Sequence, residues 1–215
     1  MIPTDWYYRA YDLIQNAAEK KGKIVEHGLQ SNMIGYNSRW DNLIRRMFGN
    51  SVGTSMDYPN VHRKLFNGSS TDYTRIWKYN VQAAMDAGIG IGVIAVPNQA
   101  TLDVGAERFY SFFVDEIGVQ SFQVNTPFPG GEEKGTKGTL GLDVKQLGQF
   151  FADLTDVWLE RGYSQGVSLG PIDELLKQFT DASGCLPCIW QSNCADEFIS
   201  IDARGFVAQC DCWVT

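Results

Sequence analysis

Amphipathic helical segments alternate with short apolar runs along the first three-quarters of the chain, and this alternation most narrows what the chain can fold into. Pro3, Thr4 and Asp5 open a helix on which Trp6, Ala10, Leu13, Ile14 and Ala17 recur at helical spacing. The spacing predicts a strand over Lys23–Gln30, a helix carrying Trp40, Leu43, Ile44 and Met47, and a short strand over Ser51–Met56. A third helix follows from Ser70–Asp72, then the continuous run Ile89–Val96 (IGIGVIAV), which predicts a strand covered on both faces. A fourth helix, from about Leu102 to Ile117, and a strand over Val119–Val124 complete the series. Strand and helix alternating at this spacing predict right-handed βαβ crossovers and a parallel sheet, hence an α/β fold. Four parallel strands are too few for a closed barrel and leave two sheet edges to manage.

Downstream, Thr126–Gly141 is a Gly-rich loop, longer than the roughly two to six residues of ordinary βα connections. Helical pattern returns over Asp143–Glu160 and Pro171–Phe179. After Gly184 the composition changes to cysteines, turn residues and two short extended runs, Glu197–Ile201 and Phe206–Gln209, joined by a hairpin turn at Asp202–Gly205. The expected organisation is a partial barrel over 1–141, a helical connection over 142–180 and a Cys-rich segment over 181–215.

All five cysteines lie in that last segment, at Cys185, Cys188, Cys194, Cys210 and Cys212. An odd number cannot pair completely into disulfides within one chain. No N-terminal run of signal type and no apolar stretch long enough to span a membrane is present, so a cytoplasmic, reducing setting is expected, where clustered thiols bind metal or do redox chemistry. Thiolates two to five residues apart converge on one centre, and the hairpin would bring Cys210 back toward Cys194. Their softness selects zinc or an iron–sulfur cluster, and spacing alone does not choose between them. The formal charge of −7, from 18 basic and 25 acidic residues in 215, argues against nucleic acid or an anionic membrane as partner.

Gly88-x-Gly90-x-Gly92 precedes a strand rather than a helix, so it is not a dinucleotide fingerprint. His27 and His62 read as structural. Gln30–Asn32 and Ser51–Asp57 sit where parallel strands end, the edge at which such sheets place small-molecule ligands.

Taken as an ordered set, these segments resemble the radical S-adenosylmethionine superfamily, in the branch with a SPASM-type cysteine domain. Leu29-Gln30-Ser31-Asn32 is similar to that family's "QTN" strand end, and Ser55-Met56-Asp57 with Pro59 and His62 to its "SLDGP…H" segment. Ala87–Val96 resembles its "AGI" strand, and Glu116–Val119 the lead into its last barrel strand. Cys188-x5-Cys194, then Ile201-Asp202-Ala-Arg-Gly205-x4-Cys210-Asp211, resembles the SPASM core. The resemblance implies an incomplete (β/α)6 barrel, about strands three to six, with a small Cys-rich C-terminal hairpin segment. It implies an enzyme that modifies a peptide or protein side chain by 5′-deoxyadenosyl-radical hydrogen abstraction, with relatives among natural-product peptide maturases and anaerobic sulfatase maturases.

By the same resemblance, Cys188, Cys194 and Cys210 match ligands of an auxiliary [4Fe–4S] cluster, with Cys185 and Cys212 as further thiolates, and Asp211 matches a general base. Gln30, Ser31, Asn32, Ser55 and Asp57 would face S-adenosylmethionine; Arg63 stands beside His62, whereas the family's arginine would fall near Phe66. The sequence contains no CxxxCxxC motif and no "GGEP" strand ahead of Met1. The expectation is a chain truncated at both ends and inactive alone. The alternatives are a non-catalytic relative that binds a leader peptide or partner chain, and a zinc-stabilised α/β binding protein.

Overall fold

The computed structural model describes residues 3–127, 141–180, 199–202 and 204–208. Helix α1 (Thr4–Glu19) is followed by α2 (Asp41–Met47), β1 (Ser51–Ser55), α3 (Ser70–Asp86), β2 (Gly90–Ala95) and α4 (Gln99–Ser111). Then come β3 (Ser121–Val124), α5 (Val144–Arg161), β4 (Ser168–Gly170) and α6 (Ile172–Thr180). The short strands β5 (Ser200–Ile201) and β6 (Val207–Ala208) form an antiparallel pair around the expected Asp202–Gly205 turn.

The four strands β1–β4 form one parallel sheet in sequential order. Sequential order with right-handed crossovers puts every helix on the same face and winds the sheet in one direction, as in part of a (β/α) barrel. The α/β class and the incomplete barrel expected from the sequence are therefore present. The four strands differ from those the sequence suggests, however. Lys23–Gln30 is not a strand: only Gln30 pairs, bridging Gly53, with Ser31 N–H donating to Gly53 O and Gly53 N–H to Leu29 O, each at 2.8 Å. Ile24, its most apolar residue, is exposed, so no buried face holds the segment extended. The fourth strand is β4, whose three residues are too few to show period-two alternation.

Val52, Thr54, Ile91, Val93, Ala95, Phe122, Val124 and Leu169 point beneath the helices and are buried. Trp77 and Trp158 fill this layer, their indole N–H groups satisfied by Thr54 Oγ1 at 3.0 Å and by Val167 O at 2.8 Å. Phe109, Phe113, Phe122 and Phe150 pack edge-on or stacked between the sheet and α4–α5. The opposite face is different. The apolar run in β2 is covered on one face only, correcting the expectation from its composition: Gly92 and Ile94 alternate with buried neighbours and remain partly open. Two glycines in that run leave Ile94 as the one large side chain of β2 on the second face.

Residue by residue, the register aligns two rows across the open face. One row is Gly53, Gly92, Ser121 and Ser168; the next, toward the C-terminal edge, is Ser55, Ile94, Gln123 and Gly170. Apart from Ile94, small and polar side chains line this surface, which makes it a wettable lumen rather than a second core.

Candidate functional site

The C-terminal edge of the sheet is built by side chains that hold one another. Gln30 lies over Gly53, its Oε1 occupying the space a Cβ would need, while its Nε2 donates to Ser55 Oγ at 3.3 Å. Gly53 is thus required by close approach rather than by backbone conformation. At the other side of the sheet the same device recurs. Gln123 Oε1 takes the Cβ space of Gly170, and its Nε2 donates to Asn125 Oδ1 at 3.2 Å.

Ser31 and Asn32 do local work. Ser31 Oγ accepts from Met33 N–H and Asn32 Oδ1 from Ile34 N–H, both at 3.1 Å, the turn chemistry that short polar side chains supply. Asn80 on α3 secures this turn by donating to Met33 O at 2.6 Å and Ile34 O at 3.2 Å. An open cleft of about 210 Å³ lies beside it, with Gln30, Ser31 and Asn32 facing Tyr7, Tyr36 and Trp40. Tyr36 donates to Asp41 Oδ1 at 2.7 Å, and burial with that carboxylate holds its phenol far above the usual range.

Asp57, just past β1, is buried and fully engaged within the chain. Arg63 grips it with two N–H groups, Nε to Oδ2 at 2.9 Å and Nη2 to Oδ1 at 3.3 Å, and Val96 N–H donates to Oδ1 at 3.0 Å. The carboxylate links the ends of β1 and β2 and carries the 60s loop with it. Asn60 braces the same loop from inside, donating to Arg63 O, Ser70 O and Thr74 Oγ1. Arg63, one position after His62, is therefore the arginine that engages this edge, whereas Phe66 is fully exposed.

The structure brings Gln30, Ser55 and Asp57 to one edge, with Ser31 and Asn32 in the adjoining turn. Cys185, Cys188, Cys194, Cys210, Cys212 and Asp211 lie outside the described residues. Among the described residues no three His, Cys, Asp or Glu side chains gather as a metal site, and no helix is long and apolar enough to cross a membrane. His27 packs against Tyr11 with the rings tilted 44° and its Nε2 buried and unpartnered among the described residues, and His62 is exposed.

One acidic pair was not singled out by the sequence, where it reads as an ordinary acidic first turn of a helix. Asp173, buried at the start of α6, accepts from Ser168 Oγ at 2.6 Å and from Glu174 N–H at 2.9 Å; burial pushes its carboxyl up, but hydrogen bonding to the Glu174 carboxyl, with these two bonds, outweighs that and holds it below its usual range. Glu174 beside it lines the lumen, and burial, with a hydrogen bond to the Asp173 carboxylate and the charge of that group, pushes its carboxyl up to about 7.

No protein-family model and no curated protein matches the chain. Solved structures do match. One, described as native anSMEcpe with bound AdoMet and Kp18Cys peptide, superimposes with a TM-score of 0.75 at 20% identity, over 97% of this chain and 57% of that one. A hexahistidine-tagged anSMEcpe with bound AdoMet gives 0.80 at 22% identity, over 97% and 54%. Native anSMEcpe with bound AdoMet and Cp18Cys peptide gives 0.74 at 21% identity, over 97% and 57%. The chain thus shares their fold along nearly its whole length and spans a little over half of theirs.

Proposed function

We propose that this chain is part of a radical S-adenosylmethionine enzyme with a SPASM-type auxiliary domain, acting on a peptide or protein side chain. The observation that carries this reading is the fold likeness over 97% of the chain to structures described as holding AdoMet and a Cys-containing peptide. The sheet edge is consistent with it in chemistry. Gln30, lying over Gly53, and Ser55 present donors and acceptors beside a surface kept bare at Gly92, which suits a polar nucleoside-type ligand.

When bound and cleaved by one electron from a [4Fe–4S] cluster, for which this sequence carries no CxxxCxxC motif, S-adenosylmethionine would supply the hydrogen-abstracting radical. The chain's own residues would do the rest of the work: Gln30 and Ser55 orient the ligand, Ser31 and Asn32 shape the adjoining turn, and the Asp57–Arg63 pair fixes the edge from behind. Cys188, Cys194 and Cys210 are assigned as three thiolates of an auxiliary [4Fe–4S] cluster, with Cys185 or Cys212 to supply a fourth or to serve another cluster, and Asp211 as the base that takes a proton from the substrate. Anaerobic sulfatase maturases are among the relatives that the sequence resembles, and two of the matched structures are described with Cys-containing peptides, so a protein thiol or hydroxyl is the substrate group to test first.

Iron and sulfide quantitation with a visible spectrum after anaerobic reconstitution tests the reading. About four irons per chain with broad visible absorption, as expected of one such cluster, would support it. A colourless protein with one zinc per chain would overturn it in favour of a zinc-stabilised binding protein.

A further inference from the structure

Met33, directly after Gln30-Ser31-Asn32, has a φ of 59°, in the left-handed region that few residues other than glycine, asparagine and aspartate enter. Its Cβ crowds the following carbonyl there. Such a residue persists only where its surroundings over-determine it, and such positions cluster at active sites and ligand clamps. Here the surroundings are explicit. Met33 N–H donates to Ser31 Oγ at 3.1 Å. Met33 O accepts twice, from Tyr36 N–H at 3.2 Å and from Asn80 Nδ2 at 2.6 Å, and Asn80 also donates to Ile34 O at 3.2 Å. The Met33 side chain is buried in the core.

Of these hydrogen-bond partners, only Asn80 comes from another element; Ser31 and Tyr36 belong to the same stretch of chain and move with it. Asn80 is buried on α3, one turn after Trp77, whose indole N–H is bound to Thr54 Oγ1 in β1. Through α3 the turn is thus referred to the sheet. On its other side the turn is pinned by Ser31 N–H, which donates to Gly53 O at 2.8 Å. Asn32 lies between the two fixed points, beside the cleft that Tyr7, Tyr36 and Trp40 close from the far side. A negative φ at Met33 would turn its carbonyl away from Asn80 or swing Ser31 and Asn32 away from the sheet.

We infer that Asn80 is a positioning residue for the ligand edge: by holding Met33 left-handed, it sets the direction in which Ser31 and Asn32 face the ligand. This role rests on that turn meeting S-adenosylmethionine, as proposed above, but the geometry of the turn is measured without ligand.

The full chain is compared with Asn80→Ala, Met33→Gly, Met33→Val and the double variant Asn80→Ala/Met33→Gly. NMR couplings sensitive to φ at residue 33, with the amide shifts of Ser31 and Asn32, read the turn; isothermal titration with S-adenosylmethionine reads binding. Asn80→Ala should lose the positive φ, move both amide shifts and weaken binding about tenfold. Glycine adopts a positive φ unaided. Met33→Gly in the Asn80→Ala background should therefore bring the turn back and binding to within about threefold of the parent. The midpoint of urea unfolding should stay below the parent's, because a buried side chain is gone. Met33→Val keeps more apolar side chain but is β-branched, and should lose both turn and binding. A side chain needed only to fill the core would rank valine above glycine.

Turn and binding that follow the urea midpoints, or that are unchanged in Asn80→Ala, would overturn the inference. Should Asn80→Ala fail to fold, slow exchange of the Asn80 side-chain amide in the unaltered chain, lost in Met33→Val, reads the same link; fast exchange in the unaltered chain would count against it. If the unaltered chain binds no S-adenosylmethionine, the function proposed above falls, and the couplings and shifts over residues 31–33 still decide whether Asn80 holds the turn.

Discussion

Asp57 and Glu174 are two carboxyl groups at the same edge of one sheet, and their surroundings give them opposite tasks. Asp57 is paired with a guanidinium and a backbone N–H, so it acts as a fastener. Arg63→Ala leaves that buried carboxylate without its charged partner and is expected to cost about 2 kcal/mol, read as a lowered midpoint in urea unfolding. Glu174 faces another carboxyl and holds its proton until about pH 7, against an ordinary value of 4.5. Between those values the folded chain binds more protons than the unfolded chain, so stability falls as pH rises from about 4.5 to 7. Asp173, held low, acts in the opposite sense and only below its ordinary value of 3.8. Thermal melts from pH 4.5 to 8 should show the decline, and Glu174→Gln should flatten it.

At the scale of elements, the start of α4 does more than begin a helix. Asn98 Oδ1 accepts from Thr101 N–H while Thr101 Oγ1 accepts from Asn98 N–H, a reciprocal cap. The same two side chains reach back to the loop after β1, Asn98 Nδ2 donating to Pro59 O at 3.2 Å and Thr101 Oγ1 to Tyr58 O at 2.7 Å. The cap therefore fastens the loop that carries Asp57. Asn98→Ala should cost about 1–2 kcal/mol by denaturant unfolding, and amide hydrogen exchange should rise in residues 58–63 as well as in the first turn of α4. A loss confined to the helix would show that the two are independent. The Pro59–His62 pattern was legible in the sequence, but this fastening was not, because Asn98 and Thr101 lie some 40 residues from the carbonyls they hold.

Over the whole molecule, one sheet presents two unlike faces. The helix-covered face holds the aromatic core, and the other is kept open by glycine and serine in register across four strands. Gly92 is the test of that openness, since a Cβ there would meet nothing within 4 Å. Gly92→Val should fold with stability within about 1 kcal/mol of the parent, because strand propensity favours valine. It should nevertheless weaken binding of S-adenosylmethionine by filling the lumen. Differential scanning calorimetry and isothermal titration separate the two effects; a destabilised protein with unchanged binding would mean that the face is packed rather than open.

The sequence by itself determined the class of fold. Helical periodicity set α1, α3, α5 and α6 almost to their ends, and the apolar runs placed β1, β2 and β3, because these patterns record local burial; the fourth helix, expected from about Leu102 to Ile117, instead begins at Gln99 and passes at Ser111 into a π-helical turn over Phe112–Ile117. It also brought Gln30, Ser55 and Asp57 forward by their place at strand ends. Only the tertiary structure decided what depends on register and on distant partners. Lys23–Gln30 lost its strand because no neighbour buries it, and Ser168–Gly170 became one because β3 and the helices supply both pairing and cover. Gln123, Gly170 and Glu174 come together across about 50 residues of chain. No spacing announces that meeting, since it is produced by crossovers that return the chain to the sheet and not by any local preference of the residues that meet.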